Sequence, residues 1–285
     1  MKKVLIVASV VSFIEWFNKE NVEYLRNDLG CEVHIACNFD YMDDTDEDRT
    51  KVYLDRICAE GVILHNIHFA RSPLSKDNIA AYLELKRIIN SQGFDLIHCH
   101  TPTASILTRL AARKARKAGC VVMYTCHGFH FHNAAPKKNW LIFYPIERFC
   151  SYFCDYIVTI NKEDFNRAKH FHAKNVRYIP GVGVDIGRIK ETKVDRKLYK
   201  KSIGIPDDCI MLLSVGEMID RKNHEVIIRA LGTLQNKNIY YVICGKGPLK
   251  EHLLNLAAEL GVADNVVFLA VSYTHLRAHE TVLDL

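Results

Sequence analysis

Short runs of apolar and β-branched residues alternate along the chain with longer segments of helical period. Val4-Leu5-Ile6-Val7-Ala8 predicts a buried strand, Lys19 to Leu29 a helix stopped by Gly30, and Glu32 to Ala36 the next strand. Asp40 to Thr50 reads as an acidic loop. Gly61 to Ile67 predicts a strand, and Ser75 to Gln92 a helix ended by Gly93. Asp95 to Cys99 and Val121 to Thr125 read as strands, with a helix from Ala104 to Ala118 between them. A helix-rich stretch from Lys138 to Tyr152 precedes a strand from Tyr156 to Ile160. Strands alternating with helices imply an α/β architecture with a parallel, doubly wound sheet.

Ile179-Pro180-Gly181-Val182-Gly183-Val184-Asp185 breaks any regular element, so a first Rossmann-like domain is expected over 1–185. The pattern then restarts. Ile210 to Val215, Tyr240 to Cys244 and Val266 to Leu269 predict strands, and Asn223 to Leu234 and Leu249 to Leu260 predict helices. This is a second Rossmann-like unit, 186–270, with three strands where about five or six are usual. Val271 to Thr281 has neither period, and it matches the translation of a common transposase-based sequencing adapter. Native sequence is therefore expected to end near Leu269 or Ala270, with 271–285 a non-native tail.

Composition narrows the class. With 49% hydrophobic and 25% charged residues in 285, it is that of an ordinary soluble protein. No apolar run reaches the ~18–20 residues of a membrane span. The start resembles a signal peptide, but Glu15 interrupts its apolar stretch and no small-residue cleavage site follows. The ten cysteines sit mostly in apolar runs without a CxxC pair, which suits reduced thiols in the cytoplasm. A net charge of +5 permits an anionic partner without demanding one.

Candidate chemistry lies at strand ends. In Cys244-Gly245-Lys246-Gly247-Pro248-Leu249 two glycines permit close backbone approach, and Pro248 is expected at the first position of a helix whose N–H groups attract anions. The same segment would also serve as a tight strand–helix turn with no ligand. Ser214-Val215-Gly216 leads through Arg221 and Lys222 into the preceding helix, so both cations could reach the same phosphates; a solvated basic loop is the alternative. His98 and His100 share one face of a strand with Cys99 opposite, and His127, His130 and His132 form a second group. The first pair reads as structural or acceptor-lining, and the second group lacks a carboxylate or Cys partner at ligand spacing, so no metal is expected. Asp44-Thr45-Asp46 matches a metal-binding DxD pattern but lies in an acidic run that reads as loop. Arg109, Arg113, Lys114, Arg116 and Lys117 make a helix that reads as basic over much of its surface. Lys137 and Lys138 adjoin Trp140 to Tyr144, which suits contact with a membrane; a solvated face beside a core helix is the alternative. No recognised nucleic-acid module accompanies these charges.

These motifs together resemble glycosyltransferase family 4, the retaining GT-B enzymes. They are Ser-Val-Gly-x5-Lys-x-His, Gly-Lys-Gly-Pro-Leu, Leu-Ala-x-Glu-Leu-Gly, Asn-Val-x-Phe-Leu, Asp95-Leu96-Ile97-His98-Cys99-His100-Thr101-Pro102, Tyr124 to Phe131 and the Pro180–Asp185 hinge. The likeness covers about 1–270, and Lys138 to Arg148 resembles a subgroup that builds capsular and exopolysaccharide units on lipid carriers. It implies a GT-B fold with the acceptor side in the first domain and the nucleotide sugar in the second. It implies His127 as the catalytic histidine, Lys222, Arg221, Gly245 and Gly247 at the donor diphosphate, and His100 and His130 on the acceptor side. Glu217 stands where many members have Arg, and Ser9 to Phe13 replaces the familiar double-glycine loop.

The function so implied is transfer, with retention, of a hexose or N-acetylhexosamine from a nucleotide sugar to a lipid-linked saccharide. The setting would be the cytoplasmic face of the cell membrane, in surface polysaccharide synthesis, without a cofactor or metal. A GT-B sugar-nucleotide epimerase and a non-catalytic sugar-nucleotide binding fragment are the alternatives. Because the second domain is incomplete, the 285-residue chain is expected to be inactive and poorly folded beyond Asp185, with an unpaired sheet edge.

Overall fold

The computed structural model describes residues 1–40, 47–70, 75–183, 186–191 and 193–269, without the side chains of 47–49 and 188–190. Two compact units divide between Val182 and Gly183. The first runs β1 (Lys3–Val10), α1 (Val11–Phe17), α2 (Lys19–Glu23, extended by a π-helical turn to Asp28), β2 (Glu32–Asn38), α3 (Glu47–Ala59), β3 (Ile63–Asn66), α4 (Asp77–Gln92), β4 (Leu96–Cys99), α5 (Pro102–Ala111), α6 (Arg113–Lys117), β5 (Val121–Cys126), α7 (Lys137–Cys150), β6 (Tyr156–Thr159), α8 (Lys162–Ala168) and β7 (Asn175–Tyr178). The second runs α9 (Ile186–Glu191), α10 (Arg196–Ser202), β8 (Ile210–Val215), α11 (His224–Leu234), β9 (Ile239–Cys244), α12 (Lys250–Glu259) and β10 (Val266–Leu269).

The first unit is a seven-stranded parallel sheet in the order β3-β2-β1-β4-β5-β6-β7. Side chains alternate across a strand, so a strand that is apolar at both parities must be covered on both faces. In β1, Leu5 and Val7 join one core with Ile97, Leu85 and Ala104, while Val4, Ile6 and Ala8 join the other with Ile14, Ile35 and Ile57. Each such aliphatic side chain contributes about 1.5–3 kcal/mol on burial. The chain leaves β1 toward β2 and β3, then crosses back to β4 on the other side. That reversal is the switch point, where open α/β sheets bind ligands beyond their strands' carboxyl ends.

The second unit is a parallel three-stranded sheet, β10-β9-β8. Tyr241 and Ile243 of β9 pack with α11 and α12, and Val242 and Cys244 pack with Ile205 and Cys209 on the opposite face. β8 and β10 are its two edges among the described residues.

Several expectations require correction. Ser9 to Phe13 is no loop, because β1 passes through Val10 directly into α1. The acidic stretch becomes helical from Glu47, and 41–46, with Asp44 and Asp46, lies outside the described residues. So does the tail. The helix expected from Ala104 starts at Pro102, whose missing N–H costs nothing in a first turn, and gives way to a separate short helix after Ala112. Helix α12 begins at Lys250, so Pro248 precedes it rather than opening it. Arg109 is not a surface residue. It is fully buried, its Nη2 donates to Glu147 Oε2 at 2.8 Å, and its guanidinium lies 4.3 Å from the Tyr124 ring centroid. Burial opposes the guanidinium charge, but the neighbouring Glu147 carboxylate prevails and raises the Arg109 pKa. Arg116 is likewise engaged, donating to Asp155. The basic face is reduced to Arg113, Lys114 and Lys117.

Candidate functional site

At the switch point of the first unit, β1 and β4 are joined beyond their last ladder bonds. Thr101 Oγ1 accepts from Ser9 N–H at 3.0 Å and lies 2.7 Å from Ser9 Oγ. Thr101 carries φ 57° and ψ 143°, a conformation a β-branched residue adopts at a cost of about 1–3 kcal/mol. The surrounding bonds hold that strain beside His100.

Three histidines gather there. His98 and His100 project from the same face of β4 and its extension, their ring centroids 4.1 Å apart. His127 follows β5, where Gly128 turns the chain with φ 131°. His100 Nδ1 lies 3.3 Å from His127 Nε2, and His98 Nε2 lies 2.8 Å from Thr125 Oγ1. Helix α1 covers the group. The Phe13 ring meets His127 edge-on at 4.7 Å and His100 at 5.5 Å, and Phe17 lies 5.8 Å from His127. Burial lowers the pKa of His98 and of His127 to about 4, with a further push on His98 from His127. His100 is lowered well below its usual value by burial and by both neighbours. At neutral pH this is a cluster of uncharged imidazoles, suited to hydrogen bonding rather than to holding a fixed positive charge. Among the described residues, no three His, Cys, Asp or Glu side chains are gathered to hold a metal ion.

His130 stands apart from this group. In the extended segment after Gly128, Phe129 and Phe131 point inward and stack at 4.7 Å, which turns the intervening His130 outward. Its ring packs on Phe143 of α7 at 4.7 Å, and its carbonyl accepts from Asn139 Nδ2.

In the second unit, the chain leaving β8 lies against the chain leaving β9. Gly216 N–H donates to Cys244 O, Met218 N–H to Lys246 O, and Leu249 N–H to Met218 O. The two glycines have a local cause. A Cβ on Gly245 would lie 1.9 Å from Gly216 O, and one on Gly247 would lie 2.6 Å from Met218 N and O. Arg221 is exposed and Lys222 half-buried in a 3₁₀ turn, Asp220 to Lys222, just before α11. His224, at the start of α11, fixes this loop from inside. Its Nε2 lies 3.1 Å from Glu217 O and its Nδ1 2.9 Å from the Tyr241 hydroxyl, which also hydrogen-bonds Ser214 Oγ.

The structure thus brings His100 and His127 together, and separately brings Gly245 and Gly247 against the loop leading to Arg221 and Lys222. Sequence reasoning missed the aromatic cover, Phe13 and Phe17, although their spacing of four residues suits one helical face. It also missed the His224–Tyr241 tie, because the two residues lie on different elements.

Comparison with known proteins agrees along the chain. The sequence model described as Glycosyltransferase Family 4 matches residues 14–188, and the one described as Glycosyl transferases group 1 matches 195–278. EpsD of Bacillus subtilis (strain 168), which bears a provisional glycosyltransferase name, is 34% identical over 94% of this chain and 67% of its own length. An Escherichia coli UDP-Gal:alpha-D-GlcNAc-diphosphoundecaprenol alpha-1,3-galactosyltransferase is 26% identical over 63% of this chain and 47% of its own. The crystal structure of HepE from Anabaena, in complex with UDP and glucose, superposes with a TM-score of 0.66 at 14% identity, over 94% of this chain and 69% of that one.

Proposed function

The chain belongs to Glycosyltransferase Family 4, and from that premise we propose that it serves to move a hexose or N-acetylhexosamine from a nucleotide sugar to a lipid-linked saccharide at a membrane surface, retaining the anomeric configuration. The observation that carries the reading is the neutral trio His98, His100 and His127 at the switch point, roofed by Phe13 and Phe17. An aromatic roof over uncharged hydrogen-bonding groups suits a sugar, which offers hydroxyls and apolar C–H faces together. A neutral His127 also adds no charge against the positive charge that develops at an anomeric carbon.

The leaving group is a diphosphate, on which negative charge grows as the glycosidic bond breaks. Fixed cations and oriented N–H groups lower that barrier. Lys222, Arg221 and the start of α11 fill this role in the second unit, and His224 holds their loop in place.

The membrane side of the reading rests on α7. Leu141 and Phe149 are 79% and 55% exposed, with Ile142 and Tyr152 exposed beside Lys137, Lys138 and Arg148. Apolar side chains among cations fit an interfacial helix on an anionic bilayer. Among the described residues no helix is long and apolar enough to cross the membrane.

The reading is tested by sugar transfer, with the purified protein, a panel of nucleotide sugars and a polyprenyl-diphosphate saccharide in vesicles. Calorimetric titration with nucleoside diphosphates accompanies it. Absence of both sugar transfer and diphosphate binding would sink the proposal.

A further inference from the structure

His100 is 2% exposed, and among the described residues its Nε2 has no hydrogen-bond partner. Its other nitrogen, Nδ1, faces His127 Nε2 at 3.3 Å. Both rings are neutral, so each carries a single proton, and the contact between them holds one of these. Two arrangements exist. In one, His127 donates from Nε2, and His100 must then bury an N–H at Nε2 with nothing to receive it. In the other, His100 donates from Nδ1 and leaves only a lone pair at its buried Nε2. Orphaned buried N–H groups are the rarer defect in folded proteins, so the second arrangement is favoured. In it His127 Nε2 is an acceptor, and the His127 proton resides on Nδ1. That atom makes no hydrogen bond among the described residues, and His127 is half-buried rather than enclosed.

We propose that His100 is a positioning residue that fixes the tautomer of His127, so that His127 presents an Nδ1–H donor at the switch point. The group it addresses is then an oxygen lone pair, such as a sugar hydroxyl or ring oxygen, and not a hydroxyl proton. That last clause rests on the transferase reading; the tautomer does not. Thr101 supports the arrangement, since its strained backbone is locked to Ser9 immediately after His100.

The test is long-range ¹H–¹⁵N spectroscopy of the full chain labelled at histidine nitrogens, at neutral pH and without ligand. Signals are assigned by their loss in His127→Gln and His100→Asn. The expected pattern for His127 is a pyrrole-like Nδ1 and a pyridine-like Nε2. In His100→Ala these two shifts should interchange, as His127 relaxes to the form a free imidazole prefers. His100→Asn, which restores an N–H near the lost Nδ1–H, should keep the wild-type pattern. A purely structural His100 would lower stability without exchanging the His127 shifts. The reverse pattern in the wild-type chain, or an unchanged one in His100→Ala, overturns the proposal; the wild-type measurement decides even if a variant does not fold. Since no ligand is present, such a failure leaves the transferase reading intact, and failure of sugar transfer leaves the tautomer intact.

Discussion

A Cβ placed on Gly245 would lie 1.9 Å from the carbonyl oxygen of Gly216, so the two loops of the second unit lie in backbone contact. Gly245→Ala must therefore push the loops apart. It should lower unfolding stability by about 1–3 kcal/mol, the range for overpacking, and impair ligand binding through the fold. Lys222→Met should separate the two effects. It should hold stability within about 1 kcal/mol of wild type and weaken nucleoside diphosphate binding by about tenfold or more, the loss of one charge-assisted contact. Urea unfolding beside calorimetric titration checks both. Equal stability losses in the two variants would contradict this division.

The buried Arg109–Glu147 pair joins α5 to α7 across the first unit. Glu147→Ala leaves a guanidinium without its counter-charge and should cost about 3–5 kcal/mol. Replacing both residues together, Arg109→Met with Glu147→Leu, should recover most of that loss, since a packed apolar pair avoids the desolvation of two charges. A double variant no more stable than Glu147→Ala would show that the pair contributes beyond its electrostatics.

What the sequence made legible follows from what is local. β1 could be read as a buried strand because both its parities are apolar. Helix α1 could not, because Ser9 to Phe13 is a short mixed run in which period decides nothing, and its helix has seven residues. Arg109 read as surface because a guanidinium is buried only where a distant partner waits, and Glu147 lies 38 residues on. His100 and His127 were legible as candidates, but their contact, and the outward turn of His130, depend on strand register and on the packing of Phe129 and Phe131. Gly245 and Gly247 were legible as sites of close backbone approach. That the approaching group is the chain at Gly216 to Met218 required the structure.

If the outward face of α7 meets an anionic bilayer, Lys137→Gln with Lys138→Gln should weaken binding to phosphatidylserine vesicles by about 2 kcal/mol, or roughly thirtyfold, at about 1 kcal/mol for each cation. Leu141→Glu should weaken it further without a comparable loss of stability, since Leu141 is 79% exposed. Vesicle co-sedimentation reads the first effect, and its disappearance at high salt identifies it as electrostatic. Unchanged partition of the double variant would remove α7 from the membrane reading.

Acid sensitivity should report the histidine cluster directly. His98 and His127 have pKa values near 4 in the folded chain because burial disfavours the imidazolium, against an ordinary value of about 6.5 when unfolded. Between these values the unfolded state binds protons that the folded state does not. Stability therefore rises with pH across that window and is lost as pH falls from about 6.5 toward 4. Each residue can account for a loss on the order of 3 kcal/mol over the full interval. Because the rings adjoin, their contributions are not additive. The carboxylates with lowered pKa, Asp155 and Glu163 among them, add their loss mainly below about pH 5, as they approach their ordinary values near 4, so the histidines dominate between about pH 5 and 6. In that interval His127→Gln should flatten the dependence of unfolding free energy on pH by up to about 1.4 kcal/mol per pH unit, one proton's worth. Urea titrations at stepped pH measure the slope. A variant with the wild-type slope would mean that His127 is already protonated in the folded chain, and the neutral cluster on which the site is built would not exist.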